Sequence, residues 1–244
     1  MLTIIGIGPG GRQYLTLEAL EALEASEVIA GYTVYVELVQ KFIKGKEYYT
    51  TPMTQERQRC EWALAEAAKG RKVALVCSGD SGVYGMASLV YELAADYPDV
   101  AIRVISGITA ALSGGAVLGA PLTHDFAVIS LSDRLTPLEL IEKRLRLAAQ
   151  ADLSIVLYNP GGKNRKDYLM KACELLLEIL PPDRVCGCVK NIGRDGEESR
   201  ILTLEELKDT PVDMFTTVFI GNASTKVLDG KMVTPRGYRL GEGK

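Results

Sequence analysis

Cysteine is scarce and odd in number: Cys60, Cys77, Cys173, Cys186 and Cys188. Scattered among apolar neighbours, these five exclude a disulfide framework. Cys186 and Cys188 would face the same side of a strand, a spacing open to a soft metal. Two small buried residues explain them more simply, and no metal is expected. Histidine is scarcer still, with His124 alone. Long hydrophobic runs are missing, and none approaches the roughly 20 residues that cross a bilayer. Met1-Leu2-Thr3-Ile4-Ile5-Gly6 lacks the basic start and cleavage site of a signal peptide. Neither sign of charge dominates: 28 Lys and Arg stand against 31 Asp and Glu, a formal charge of −3. That balance does not suggest a nucleic-acid surface. Internal repeats and low-complexity tracts are absent too. The expectation is a cytoplasmic protein that binds neither nucleic acid nor membrane. What the chain does have is apolar mass, 47% of 244 residues. That is enough for one large domain or two small ones with real cores.

Short β-branched runs alternate with amphipathic segments in the first half. A strand is expected at 2–7. Thr16 then caps a helix to Ser26 that carries Leu17, Leu20 and Leu23, with Glu18 in its first turn. A short strand follows at 28–30. Over 54–69, Cys60, Ala63, Leu64 and Ala67 recur at i, i+3, i+4 and i+7, which is one helix face. A strand at 72–77, a helix at 84–95 and a strand at 101–105 continue the alternation. Such a pattern implies right-handed crossovers and a mostly parallel sheet. Around Gly114-Gly115 and Gly119-Ala120-Pro121 the character changes, without a polar linker. The expected division is an α/β lobe over 1–118 and a second over 119–244. The second opens with a strand at 126–131. Thr136-Pro137-Leu138-Glu139 reads as an N-cap, a proline at the first helical position and an acid at the third. The helix it starts reaches about Gln150. A strand at 153–158, a helix at 164–179 and strands at 184–190, 200–202 and 216–220 complete the chain.

Gly6-Ile7-Gly8-Pro9-Gly10-Gly11 follows a strand and formally matches the G-x-G-x-x-G of dinucleotide sites. Pro9 removes an N–H that a pyrophosphate would want. The second strand ends Val28-Ile29-Ala30-Gly31, with no acid to grip a ribose. An NAD(P)-binding protein without catalysis, and a tight turn without ligand, both stay open from this loop alone. Ser78-Gly79-Asp80-Ser81-Gly82-Val83-Tyr84-Gly85-Met86 follows a buried strand, and Ser106-Gly107-Ile108-Thr109-Ala110 follows the next. Carboxyl ends of parallel strands are where open α/β sheets bind ligands. Asp80 offers a carboxylate to hydroxyls or a cation, or could cap the helix after it. Three such loops in one half favour a ligand site.

In order, Gly6-Ile7-Gly8-Pro9-Gly10, the loop from Gly79 to Gly85 and Gly107-Ile108-Thr109-Ala110 resemble signatures of the tetrapyrrole (class III) methyltransferases. The resemblance runs along almost the whole chain. It is strongest to the members that methylate carbon 17 of precorrin-3B or its cobalt counterpart. Gly119 to Phe126, Ile129 to Asp133, Tyr158-Asn159-Pro160, Asn191 to Arg194, Asp213 to Asn222 and Met232 to Tyr238 support it. The family's Gly-Asp-Pro loop reads Gly79-Asp80-Ser81 here.

The resemblance implies a two-lobed α/β fold, with a mostly parallel sheet in the first lobe and a mixed one in the second. It also implies a homodimer, with S-adenosyl-L-methionine as methyl donor and S-adenosyl-L-homocysteine as product. Pro9 would floor the donor site, and Ser78, Gly79, Asp80 and Val83 would line its amino-acid and ribose portion. Thr109 and Ala110 would lie near the methionine end. Asn159, Ile192, Thr216 and Thr217 would hold the adenosine. The tetrapyrrole carries many carboxylates, so Arg194 is the foremost candidate for a carboxylate clamp, with Lys163 and Arg165 behind it. Ser130, Ser132 and Asp133 would line the next strand end and assist proton movement, with Ser130 and Ser132 also binding the substrate. Methylation at carbon 17 is coupled in this family to ring contraction, which needs proton transfers. His124, beside Asp125, is the candidate acid or base for these, although a lone histidine more often satisfies a local hydrogen bond. A different ring carbon, or a protein side chain, would be the target of other members of the fold.

Overall fold

The computed structural model describes residues 1–162 and 166–238. The chain divides into two compact units, Met1–Ala110 and a second that begins at Ala111.

In the first unit, strands β1 (Leu2–Gly6), β2 (Val28–Tyr32), β3 (Glu47–Thr51), β4 (Val73–Cys77) and β5 (Ile102–Ile105) form one sheet in the order β3-β2-β4-β1-β5. Every pairing is parallel. Helices α1 (Leu17–Ala25), α2 (Thr33–Gln40), α3 (Glu56–Ala68) and α4 (Ala87–Leu93) are the crossovers. Helices on both faces explain why β1 and β4 are buried at every position rather than alternating. Leu2, Ile4, Val73 and Leu75 pack on Cys60, Ala63, Leu64 and Ala67 of α3. Ile5, Ala74 and Val76 point the other way, onto Ala19 and Leu23 of α1 and Val36 and Val39 of α2.

The expected face of α3 is thus the buried one. Thr16 caps α1 as its position predicts, accepting the Ala19 N–H at 3.1 Å. Leu17 is nevertheless 80% exposed, at the outer edge of its stripe. The helix expected from residue 84 begins only at Ala87, because Tyr84 takes a left-handed φ of 53°.

The second unit follows with α5 (Ala110–Leu118), β6 (Gly119–Ala120), β7 (Phe126–Ser130), α6 (Leu138–Gln150), β8 (Ser154–Tyr158), α7 (Tyr168–Leu177), β9 (Val185–Lys190), β10 (Glu198–Thr203), α8 (Leu204–Lys208) and β11 (Thr216–Ile220). A hairpin closes it, β12 (Lys226–Leu228) and β13 (Lys231–Val233). The main sheet runs β10-β9-β11-β8-β7. Only β7 and β8 are parallel, so the sheet is mixed. Ile141 and Leu145 of α6, Leu169 and Leu176 of α7, and Leu204 and Leu207 of α8 cover one face. On the other, α5 approaches so closely that a Cβ on Gly114 would lie 2.9 Å from both Ile192 and Phe219. Only glycine fits that crossing.

Thr136 does not cap α6. Pro137 occupies the cap position, and its carbonyl accepts from the N–H groups of Leu140 and Ile141. The helix expected from residue 164 is described from Tyr168; its first expected residues, with Lys163 and Arg165, lie outside the described residues.

Candidate functional site

The three glycine-bearing loops of the first unit leave the carboxyl ends of β1, β4 and β5, which are neighbours in the sheet. Gly8 and Gly79 exchange backbone hydrogen bonds at 3.0 and 2.8 Å. Gly107 lies against Gly79 and Gly6: a Cβ there would stand 2.2 Å from the Gly79 carbonyl oxygen and 2.6 Å from the Gly6 backbone. No side chain is compatible with that approach. The loops are one backbone cluster.

Asp80 binds this cluster together. Its Oδ1 accepts from the N–H groups of Gly82 at 2.7 Å and Val83 at 3.1 Å. Its Oδ2 accepts from the Gly107 N–H at 2.9 Å, tying the β4 loop to the β5 loop. Charge-assisted bonds of this kind are among the stronger ones in proteins. Asp80 is not a cap of α4, whose cap position is Met86. Ser81, in the position of the family's proline, is fully buried and donates to the Ile105 carbonyl at 3.1 Å. The serine replaces a stiff turn with a hydrogen-bonded one. Pro9 is buried beneath the loops, Ser78, Thr109 and Ala110 are half-buried, and Val83 is exposed.

A dinucleotide arrangement is not built here. Gly8 directs its N–H at Gly79 rather than at a ligand, and a single 3-10 turn at Arg12–Tyr14 follows the glycines. The first α-helix starts only at Leu17, so no helix N-terminus meets the turn.

In the second unit, Asn159 follows β8 in a left-handed conformation, φ 54°. Its Nδ2 donates to Ser130 Oγ at 2.9 Å, which also accepts the Ser132 N–H at 3.2 Å. Ser130, Ser132 and Asn159 therefore meet where the parallel pair β7 and β8 ends. Register places more residues at that edge. Thr216 lies opposite Lys190, the last residue of β9, and Val218 opposite Leu157 of β8. Thr216 and Thr217 thus begin β11 beside Asn159, and Ile192 leaves β9 at the same edge. Arg194 belongs to the turn after β9, where its N–H reaches the Asn191 carbonyl at 2.9 Å and its carbonyl accepts from Glu197.

Sequence reasoning passed over Asp213 as a separate residue, although it heads a quoted motif. Its Oδ1 accepts from Phe215 N–H at 2.9 Å and from Thr216 Oγ1 at 3.0 Å, and Lys190 pairs with Oδ2 at 2.9 Å. Burial works against the charge. The hydrogen bonds from Lys190, Phe215 and Thr216 outweigh it and hold the carboxyl below the usual range.

His124 and Asp125 stand apart from this group. They precede β7, and Asp125 receives the N–H of Ser154, the first residue of β8. The length of β7 separates Asp125 from Ser130, about 16 Å at strand rise. His124 Nε2 lies 3.0 Å from the Pro235 carbonyl, and Arg236 donates to the Thr123 carbonyl at 2.8 Å. Both bonds fasten the segment after β13 to the strand entry. Thiol chemistry has no support either: all five cysteines are buried, and burial pushes Cys60 up to about 12 and Cys77 to about 11.

Residues 1–208 match the family described as Tetrapyrrole (Corrin/Porphyrin) Methylases. The chain belongs to this family. Within it, the chain is 46% identical to the "Probable cobalt-factor III C(17)-methyltransferase" of Salmonella typhimurium, over 98% of this chain and all of that one. It is 38% identical to the precorrin-3B C(17)-methyltransferase of a Sinorhizobium species, over 97% and 96% of the two chains. Among solved structures, that of the methyltransferase CobJ superposes with a TM-score of 0.89 at 36% identity, covering 96% of this chain and 99% of that one. Other tetrapyrrole methylases share the α/β fold of a parallel sheet and a mixed sheet.

Proposed function

We propose that this tetrapyrrole methylase transfers a methyl group from S-adenosyl-L-methionine to carbon 17 of a cobalt-factor III or precorrin-3B type ring, with ring contraction, in cobalamin biosynthesis. One observation carries the reading: 46% identity to a relative so named, across essentially the full length of both chains. The lower figure of 38% for the precorrin-3B relative favours the cobalt-bearing substrate. The enzyme acts in the cytoplasm as a homodimer. Among the described residues no helix is long and apolar enough to cross a membrane.

The chemistry needs positioning rather than a protein nucleophile. A nucleophilic ring carbon supplies the electron pair for the new C–C bond. The S–CH3 bond breaks in line, and the donor leaves as neutral S-adenosyl-L-homocysteine. Holding the two partners in near-contact alignment supplies a large part of such a barrier reduction.

Pro9, Ser78, Gly79, Asp80, Val83, Thr109 and Ala110 receive the donor on the first unit. Asp80 does so through the loops it pins, since its carboxylate already accepts three N–H groups. Asn159, Ile192, Thr216 and Thr217 take the adenosine, while Ser130, Ser132 and Arg194 take ring substituents. Their common sheet edge supports grouping the second-unit residues. Incubation with S-adenosyl-L-methionine and cobalt-factor III, followed by mass spectrometry, tests the reading. A ring product heavier by one methyl is expected. Unaltered substrate, with donor present and protein folded, would refute it.

A further inference from the structure

Arg59, in α3, is only 2% exposed, yet among the described residues its guanidinium hydrogen-bonds only neutral acceptors, with the Glu56 carboxylate acting on it without a hydrogen bond. Nε donates to Thr51 Oγ1 at 2.9 Å, and Nη2 to the carbonyls of Thr51 at 3.2 Å and Pro52 at 3.1 Å. Nη1 reaches Met86 Sδ at 3.3 Å. Burying a cation without a hydrogen-bonded carboxylate is unfavourable, and an apolar side chain would satisfy packing at less cost. What the guanidinium adds is a rigid fork that holds several acceptors in fixed directions, which an ammonium cannot do.

Those acceptors belong to two places at the ligand edge of the parallel sheet. Thr51 ends β3, and its carbonyl also accepts from Thr33 Oγ1, just beyond β2. Met86 closes the loop that leaves β4 at Ser78. The return of that loop is tight: Ala87 N–H bonds the Ser81 carbonyl at 3.1 Å, and a Cβ on Gly85 would stand 2.3 Å from the same oxygen. Between them Tyr84 keeps its left-handed φ, a conformation its surroundings must impose.

We infer that Arg59 is a positioning residue for the donor loop: by bridging the end of β3 to Met86 it fixes the 78–86 segment in the shape that receives S-adenosyl-L-methionine, without touching the donor. This rests on the donor site proposed above. Neither composition nor helical periodicity singles Arg59 out, because position 59 reads as one more charged residue beside an apolar stripe.

The test is calorimetry of S-adenosyl-L-homocysteine with the full chain and its Arg59→Met, Arg59→Lys and Met86→Leu variants, together with steady-state kinetics. Arg59→Met weakens binding by about tenfold, the net worth of a buried charged hydrogen-bond set. Arg59→Lys fails to restore it. Met86→Leu, which keeps volume but removes the sulfur acceptor, weakens it by about threefold with an unchanged melting temperature. In each folded variant the donor KM rises while kcat at saturating donor stays within about threefold, because no group at the reacting atoms is lost. Wild-type affinity in folded Arg59→Met or Arg59→Lys would overturn the inference. If neither folds, Met86→Leu decides, and unchanged affinity there would overturn it equally. A wild-type chain that binds no S-adenosyl-L-homocysteine defeats the donor reading first, and the inference with it.

Discussion

Asp80 shows how one side chain can hold together a cluster of loops made mostly of backbone. Three N–H groups from two loops converge on its carboxylate. Asp80→Ala should weaken S-adenosyl-L-homocysteine binding roughly ten- to hundredfold and also lower the melting temperature, since three amides lose their acceptor. Calorimetry paired with a thermal melt checks both, and unchanged affinity would deny Asp80 any part in the donor site. Asp213 makes a different prediction. Its carboxyl titrates lower in the folded chain than in the unfolded one. The stability it contributes is therefore present above the usual carboxylate range and is lost as pH falls through its depressed folded value. Asp213→Asn should be less stable at neutral pH and lose less stability on acidification; parallel curves of melting temperature against pH would contradict this. The Lys190 partner is exposed enough that salt will shrink the effect.

At the scale of elements, the readable parts were those where one local rule decides. The periodic stripe of α3 and the cap of α1 at Thr16 match the structure, and β11 spans the expected residues. The three glycine loops were visible as motifs after strands, while their meeting follows from the sheet order that makes those strands neighbours. What escaped has physical reasons. Helix α2 is rich in Val, Tyr and Thr, whose strand preference its tertiary packing overrides, and the short edge strand β3 lacks an apolar–polar alternation. Helix α5 contains Gly114-Gly115, which reads as a break. Close packing of Gly114 on Ile192 and Phe219, and of Gly115 on Leu122 and Pro121, makes those glycines compatible with a buried helix.

The β12–β13 hairpin did carry a signal: Asp229 and Gly230 both take positive φ, the two-residue turn that Asp-Gly favours. The geometry of α5 is testable. Gly114→Val gains helix propensity of a few tenths of a kcal/mol but forces overpacking of about 1–3 kcal/mol, so net destabilisation is expected. Donor KM should rise as well, because Ile192 is displaced; a melt and a donor titration report the two effects separately.

For the whole molecule, the first unit clusters its glycine loops at the carboxyl ends of three neighbouring parallel strands, and the second gathers its candidate residues at one edge of its own mixed sheet. Arg59, Asp213 and the hydrogen bonds of Ser130 needed the structure, because partners distant in sequence give no pattern along the chain. His124 lies at the far end of β7 and holds Pro235. His124→Ala should therefore leave methyl transfer and contraction near wild-type rates while making the final segment more sensitive to protease. A selective loss of contraction would restore the acid–base role that its pairing with Asp125 suggests. Light scattering should give twice the chain mass of 26.5 kDa.

The new methyl group is proposed to go to carbon 17. Reaction with S-adenosyl-L-methionine labelled with carbon-13 in its methyl, followed by NMR of the isolated ring product, tests it directly. A single labelled methyl on carbon 17 is the predicted result; a labelled methyl on any other atom would contradict it.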